Sequence, residues 1–297
     1  MNRLLNILML RGRQSDVDDR KYSLAERLGG RHAAVINYGP YGVKVGRLGF
    51  TGGEGRIDMV ETHTGLRDMS KIVELLHART DCNAVVVGIG TRIRSALNEL
   101  HEEHAEPVES PGLYFEDKPD PSTLQQSLPT GGRRVFETTM ATNDARDFER
   151  ALKSSGLTVM REQMTSSAIL NALVPFVTRH SSSPERLALL LVADQGSITG
   201  VLLRGSEWIA ARGAPIGYLN PTHPTSEETD HIKDFIGGLL DRAEGSPVKI
   251  GYFDSEVPVT FETIRSAVFA TLSPAPEVLK WEDDEFPNLD LDAICFA

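Results

Sequence analysis

The chain has 297 residues, of which 40% are hydrophobic and 25% charged, and its net charge is -11. This length favours two domains with separate cores, and the composition is that of a globular protein. The negative charge argues against nucleic acid as the main ligand, because it repels phosphate backbones. The two cysteines, Cys82 and Cys295, argue against a disulfide framework and favour a reducing, cytoplasmic compartment.

The N-terminal extension, residues 1–31, begins with a short apolar run at 4–10. A bilayer-spanning helix needs about 18–20 apolar residues, so this run predicts no membrane anchor. It also lacks the small-residue cleavage site of a signal peptide. We predict a packed terminal helix or strand, with a reversible membrane- or partner-binding element as the alternative.

The first predicted lobe covers residues 32–180. Residues 33–50 read as two strands joined by a glycine- and proline-containing turn, and a third strand follows at 57–65. Asp68 is a candidate N-cap for the helix at 68–79, and the β-branched run 83–89 is typical of a buried central strand. The predicted order is therefore strand, strand, strand, helix, strand.

A small inserted subdomain is predicted within this lobe, at about residues 95–160. Five prolines between residues 99 and 132 disfavour a long helix or a central strand there. A strand at 133–141, a helix that Asn143 or Asp144 could cap and Gly156 could end, a strand at 157–163 and a helix at 166–180 follow. The polar residues 181–185 are the predicted link between lobes.

The second predicted lobe, residues 187–280, opens with the same order of elements as the first. A buried strand is followed by a tight turn after Asp194 and by two more strands, and helices at 231–243 and 261–272 flank a strand at 248–254. This repeated order indicates weak internal duplication. Residues 281–297 form an acidic C-terminal tail, predicted to be a solvated terminus, with docking on a basic partner surface as the alternative.

Two hairpin sequences resemble a known family. N-Y-G-P-Y-G-V-K at 37–44 looks like the D-x-G-x-x-x-x-K segment that opens the type IV pilus assembly protein PilM family, and D-Q-G-S-I-T at 194–199 resembles its second phosphate hairpin. Residues 140–173 are similar to the PilM stretch that closes the inserted subdomain. The resemblance spans about residues 30–275 and extends to FtsA and the cytoplasmic part of GspL. It implies an α/β, actin-like (ribonuclease H-like) two-lobed fold with an inserted subdomain in the first lobe and a reduced second lobe.

The resemblance also implies a site for Mg-ATP. Its candidate nucleotide-binding residues are Asn37, Gly39, Lys44, Asp194, Gly196, Thr199 and Gly251, and Asp194 is the candidate Mg ligand. Asn37 lacks the charge of the family aspartate, Tyr252 and Phe253 fill the space after Gly251, and residues 213–231 hold no helical capping insertion. We therefore expect no bound cofactor and no catalytic residue, with Mg-ATP binding as the alternative. Without a nucleotide, Asn37 and Asp194 would serve as turn caps.

The predicted function is that of a scaffold on a type IV pilus or type II secretion assembly platform. The resemblance implies binding to the cytoplasmic tail of a bitopic, PilN-like membrane protein, in a groove within about residues 90–160. The location would be cytoplasmic and peripheral at the inner membrane, without nucleic acid, and with homo-oligomers as a possible state. The alternative is an active actin-like ATPase whose nucleotide state regulates partner binding.

Overall fold

The computed structural model describes residues 24–52, 54–90, 93–99, 114–115, 123–130, 134–180, 187–215, 226–244, 246, 248–254, 278–279 and 288–296. The predicted element at 1–13, the predicted helix at 261–272, the stretch 281–287 and residues 216–225 lie outside this part of the chain. In the described residues, no helix is both long and apolar enough to cross a membrane.

The elements are runs of one to five strands separated by single helices. In order they are β1 (Ala33–Gly39), β2 (Gly42–Thr51), β3 (Glu54–Thr64), α1 (Met69–His77), β4 (Ala84–Ile89), β5 (Ile93–Glu99), β6 (Tyr114–Phe115), β7 (Thr123–Pro129), β8 (Arg134–Ala141), α2 (Thr142–Ser154), β9 (Thr158–Met164), α3 (Thr165–His180), β10 (Leu187–Asp194), β11 (Ser197–Arg204), β12 (Glu207–Pro215), α4 (Ser226–Leu240), β13 (Val248–Asp254), β14 (Val278–Leu279) and α5 (Leu289–Phe296).

The chain divides into two compact units. The first contains residues 1–90, 142–175 and 282–297, and the second contains residues 91–141 and 176–281. Residues 91–141 thus group with the second unit and residues 282–297 with the first, while the lobe bounds 32–180 and 187–280 stay a prediction.

The first unit is built on a five-stranded sheet in the order β3-β2-β1-β4-β9. The first three strands pair antiparallel, whereas β4 runs parallel to both β1 and β9. All six residues of β4 are buried, as its continuous apolar sequence predicts for a strand covered on both faces. The predicted order of three strands, helix and strand is confirmed here.

The second unit repeats this topology. Its strands β12-β11-β10-β13-β14 have the same order and the same parallel and antiparallel pairings as the first sheet. Strand β10 takes the central place of β1, and all eight of its residues are buried. The duplication that the sequence indicated at the level of pattern is thus present at the level of topology.

Four further strands extend the second sheet from its β12 edge. Strand β5 pairs with β12 through Ser95 and Gly213, and β8, β7 and β6 follow outward. The prediction that the proline-rich stretch would contain no interior strand is wrong for β7, which pairs on both sides. The prolines do not prevent β7, because Pro121 precedes it and Pro129 is its last residue.

Local signals set the start of α1 and the end of α2 as predicted. The Asp68 carboxylate accepts hydrogen bonds from the Ser70 and Lys71 amides, so it caps α1. After α2 the chain turns at Gly156, whose φ of 83° favours glycine, and the Leu157 amide donates to the Leu152 carbonyl. The side chains of the proposed α2 caps, at positions 143 and 144, lie outside the described residues.

The C-terminal helix α5 is a departure from the predicted solvated tail. All eight of its residues are buried, and it contacts every strand of the first sheet. The interpretation as a solvated terminus is therefore wrong for residues 289–296. The physical reason is that its acidic residues are followed by the apolar run Ala293–Phe296, which the core can bury.

Candidate functional site

Two of the predicted nucleotide-binding residues meet in the first hairpin. Asn37 and Lys44 are direct partners in the β1–β2 ladder, so their side chains lie on the same face of the sheet. Gly39 pairs with Gly42 and closes the turn. Both polar side chains are buried, Asn37 completely and Lys44 with only 5% of its surface exposed.

Asp290 of α5 lies between these two side chains. Lys44 Nζ is 3.0 Å from Asp290 Oδ1, and Asn37 Nδ2 donates to Asp290 Oδ2 at 3.2 Å. The opposite end of the Asn37 amide is also fixed, because Thr165 Oγ1 donates to Asn37 Oδ1 at 2.9 Å. A buried ammonium needs a partner charge, and the helix supplies it from within the same chain.

Glycines on three strands make the space that α5 occupies. A Cβ added at Gly88 of β4 would overlap Ile294, and one added at Gly55 of β3 would overlap the Phe296 ring. A Cβ at Gly46 of β2 would lie 3.2 Å from Leu291 Cδ1 and still closer to the neighbouring strand. The sheet surface is therefore shaped to three apolar side chains of this helix, Leu291, Ile294 and Phe296, with one glycine for each.

The C-terminal end of α5 is held by side chains of β9. Gln163 Nε2 donates to the carbonyls of Ala293 and Ile294, and Arg161 Nη1 donates to the Cys295 carbonyl at 2.9 Å. The last carbonyls of a helix have no partner within the helix, so these donors satisfy groups that burial would otherwise penalise. Burial also raises the pKa of the Cys295 thiol well above its ordinary value, which keeps it protonated.

The second predicted hairpin is also buried. Asp194 and Ser197 close the β10–β11 turn, and Asp194 and Thr199 each have at most 2% of their surface exposed. Ser197 Oγ and Thr199 Oγ1 are buried without a hydrogen-bond partner in the described part of the chain. Gly196 lies in the turn beside Asp194, so these predicted residues are neighbours.

Gly251 does not lie beside this turn. It pairs with Leu190, four residues before Asp194 on β10, which corresponds to about 13 Å along the strand. It lies inside β13 rather than after it, and Tyr252 and Phe253 continue the strand. The seven predicted residues thus form one group of three in the first hairpin, one group of three in the second hairpin, and an isolated glycine, Gly251.

Sequence reasoning missed Asp290 and Thr165. The signal for Asp290 was the apolar run that follows the acidic stretch to the end of the chain, since a solvated tail rarely ends on such a run. No sequence signal marks Thr165 as a site residue, because a threonine at the start of a helix is common for capping alone. Among the described residues, no group of three His, Cys, Asp or Glu side chains is placed to hold a metal ion.

Comparisons with known proteins identify the fold. No protein-family model and no curated protein matches the sequence. Among solved structures, a Bacteroides thetaiotaomicron protein of actin-like ATPase fold and unknown function aligns with a TM-score of 0.50 at 10% identity, over 93% of this chain and 98% of its own. The chain therefore has an actin-like ATPase fold, and the predicted fold class is confirmed.

Two further structures are similar to a lesser degree. A PilM-PilN type IV pilus biogenesis complex gives a TM-score of 0.49 at 14% identity, over 89% of this chain and 96% of that one. The cytoplasmic domain of EpsL, an inner membrane component of the Vibrio cholerae type II secretion system, gives 0.43 at 11% identity, over 75% and 82%.

Proposed function

We propose that this chain is an actin-like scaffold of a type IV pilus or type II secretion assembly platform that works without bound nucleotide. It binds the cytoplasmic tail of a bitopic, PilN-like membrane protein and is thereby held at the inner membrane. The observation that carries the nucleotide-free part is the buried contact of Lys44 and Asn37 with Asp290. The membrane partner follows from the resemblance of residues 37–44, 140–173 and 194–199 to PilM proteins.

The Asp290 contacts oppose phosphate binding in the first unit. A phosphate could reach Lys44 only after Asp290 had left, and removing one partner of a buried ion pair costs about 3–5 kcal/mol. Such a cost lowers affinity by about 100-fold or more. Asn37 adds no charge that could hold magnesium-bound water, so these residues do not fit Mg-ATP.

Calorimetry on the full chain tests the nucleotide-free state. We expect no binding heat when Mg-ATP is titrated to about 1 mM, because the anion site of the first hairpin is filled. Micromolar binding of Mg-ATP that Asp194→Ala abolishes would contradict the proposal and favour the ATPase.

A second experiment tests the partner. The labelled cytoplasmic tail of a bitopic membrane protein encoded beside this gene is titrated with the full chain and followed by fluorescence anisotropy. We expect saturable binding that Mg-ATP leaves unchanged and that a scrambled tail peptide does not show. Absence of binding to every such tail would refute the scaffold role.

The second hairpin provides the one observation in favour of an ATPase. Ser197 Oγ and Thr199 Oγ1 are buried beside Asp194 without a hydrogen-bond partner among the described residues. Hydroxyls in this state can receive a ligand or a water, since a buried polar group without a partner is costly. The titration of Mg-ATP into the natural protein and into Asp194→Ala distinguishes this ATPase from the nucleotide-free scaffold.

A further inference from the structure

The contacts of α5 have the character of a bound peptide in a receptor. Its polar contacts come from β1, β2 and β9, and the glycines that admit its apolar side chains lie on β2, β3 and β4. Every strand of the first sheet therefore takes part, although α5 has only eight residues. Besides this apolar contact, the helix meets side-chain donors of the sheet at both of its ends.

The two ends of the helix are recognised by different chemistry. Near its start, Lys44 and Asn37 bind the Asp290 carboxylate. At its end, Gln163 and Arg161 bind main-chain carbonyls, which recognises the helix terminus itself and not a particular side chain. Between them, Leu291 and Ile294 occupy space that the glycines leave open. This combination specifies the position, direction and register of one short acidic and apolar helix.

We propose that the face of the first sheet under α5 is a peptide-binding site whose ligand is the chain's own C-terminal helix, and that this helix can leave and be replaced by the same segment supplied in trans. The ligand class is a short helix with a carboxylate in its first turn, followed by leucine, isoleucine and phenylalanine in the pattern of residues 290–296. When the helix leaves, Lys44 and Asn37 lose their carboxylate partner.

The connection to the proposed function is limited to these shared contacts. The inference rests on the same Asp290 contacts that support the nucleotide-free state, and it does not depend on the membrane partner. Its experiment can therefore fail on its own: a helix that never exchanges would leave the calorimetric prediction intact. Conversely, binding of Mg-ATP to the intact chain would refute the nucleotide-free scaffold whether or not the helix exchanges.

Cleavage of the folded, full-length chain tests the exchange directly. A protease recognition sequence is inserted between Asp283 and Asp284, and the purified protein is cut only after it has folded. We expect the released segment 284–297 to remain with the body through gel filtration, and a labelled synthetic peptide of the same sequence to replace it. Circular dichroism of the cut protein confirms that the body stays folded.

Two variant peptides measure the specificity of the exchange. Asp290→Asn should compete at least about 30-fold more weakly than the natural peptide, because it removes the buried ion pair with the Lys44 ammonium. Glu285→Gln removes the same charge from a residue outside the described contacts, and it should compete within about threefold of the natural peptide. Equal competition by the two variants would overturn the proposed recognition of Asp290.

Three further outcomes of the cleavage experiment would each refute the proposal. Loss of the cut segment from a folded body would show that the sheet does not retain the helix as a ligand. Failure of the labelled peptide to exchange over days, or unfolding of the body on cleavage, would show that α5 is an integral core element. The uncut chain gives an independent measurement, since the buried Cys295 thiol reacts only when the helix opens. In full-length protein carrying Cys82→Ser, Asp290→Asn should accelerate modification of Cys295 at least about tenfold, and an unchanged rate would contradict the inference.

Discussion

Replacing Asn37 by aspartate would place two carboxylates in contact inside the first unit. In the structure, Asn37 Nδ2 donates to Asp290 Oδ2 at 3.2 Å, and both side chains are fully buried. Asn37→Asp removes this donor and sets a second negative charge beside the first. Lys44, which already forms an ion pair with Asp290, is then shared between two carboxylates.

Two estimates bound the expected loss of stability. Two like unit charges 3.2 Å apart repel by about 5 kcal/mol at an effective dielectric constant of about 20. The pair can avoid this repulsion by retaining one proton. Holding a proton on a carboxyl whose ordinary pKa is about 4 costs about 1.4 kcal/mol per pH unit, which is about 4 kcal/mol at pH 7 and about 1.5 kcal/mol at pH 5. Retaining the proton costs less than the repulsion, so we expect the free energy of unfolding to fall by about 4 kcal/mol at pH 7 and about 1.5 kcal/mol at pH 5.

The sign of the pH dependence follows from linkage. The neighbouring charge raises the pKa of the carboxyl pair in the folded state above its value in the unfolded chain. A group of this kind destabilises the fold increasingly as the pH rises from the unfolded pKa towards the folded pKa. The variant should therefore lose less stability in acid than at neutral pH, relative to the natural protein at the same pH.

Urea denaturation at pH 5 and pH 7 measures this difference. Asn37→Ala is the matched control, since it removes the hydrogen bond without adding charge, and its cost should be the same at both pH values. The double variant Asn37→Asp with Asp290→Asn restores one carboxylate and one amide, so it should recover most of the loss. A pH-independent cost for Asn37→Asp, or a double variant no more stable than Asn37→Asp alone, would refute the electrostatic reasoning.

Two further predictions concern packing and titration in the first unit. Gly88→Ala should lower the free energy of unfolding in urea by about 1–3 kcal/mol, because the new methyl group overlaps Ile294. Gly237→Ala is the control: it lies in open space on α4 and should raise the free energy of unfolding by about 0.5–1 kcal/mol. Equal effects of the two substitutions would contradict the close fit of α5. Burial, with a smaller contribution from Glu149, raises the pKa of Glu162 to about 7, so stability is lost as the pH rises from about 4.5 to 7. Glu162→Gln should therefore stabilise the protein by about 1–3 kcal/mol at pH 8 and by little at pH 4.5. Glu149→Gln removes the smaller cause of the raised pKa, so it should give a smaller gain with the same pH dependence; a pH-independent gain would contradict the assigned cause.

The sequence predicted the strands whose signals are local. The continuous apolar runs of β4 and β10 identify buried central strands, and Asp68 and Gly156 mark helix ends through their own side-chain and backbone chemistry. These features depend on neighbours within a few residues. The order of elements and the repeated topology could be predicted for this reason.

The features that the sequence did not reveal depend on contacts between distant residues. Strand β5 becomes part of a sheet only through its pairing with β12 and β8, and no local pattern specifies those partners. The burial of Asp290 depends on Lys44, which lies 246 residues away in the chain. An acidic residue near a terminus is usually solvated, so only the tertiary contact reverses that expectation.

Asn37 and Gly88 both accommodate the C-terminal helix. An aspartate at position 37, as in the family that the hairpin resembles, would repel Asp290, and a side chain at position 88 would exclude Ile294. Restoring the aspartate alone therefore cannot restore a phosphate site, because Asp290 would still hold Lys44. An anion that approaches Lys44 would also have to displace Asp290 from this ion pair. The uncharged Asn37 side chain is thus compatible with the buried Asp290 carboxylate of the C-terminal helix, whereas a second carboxylate at position 37 would repel it.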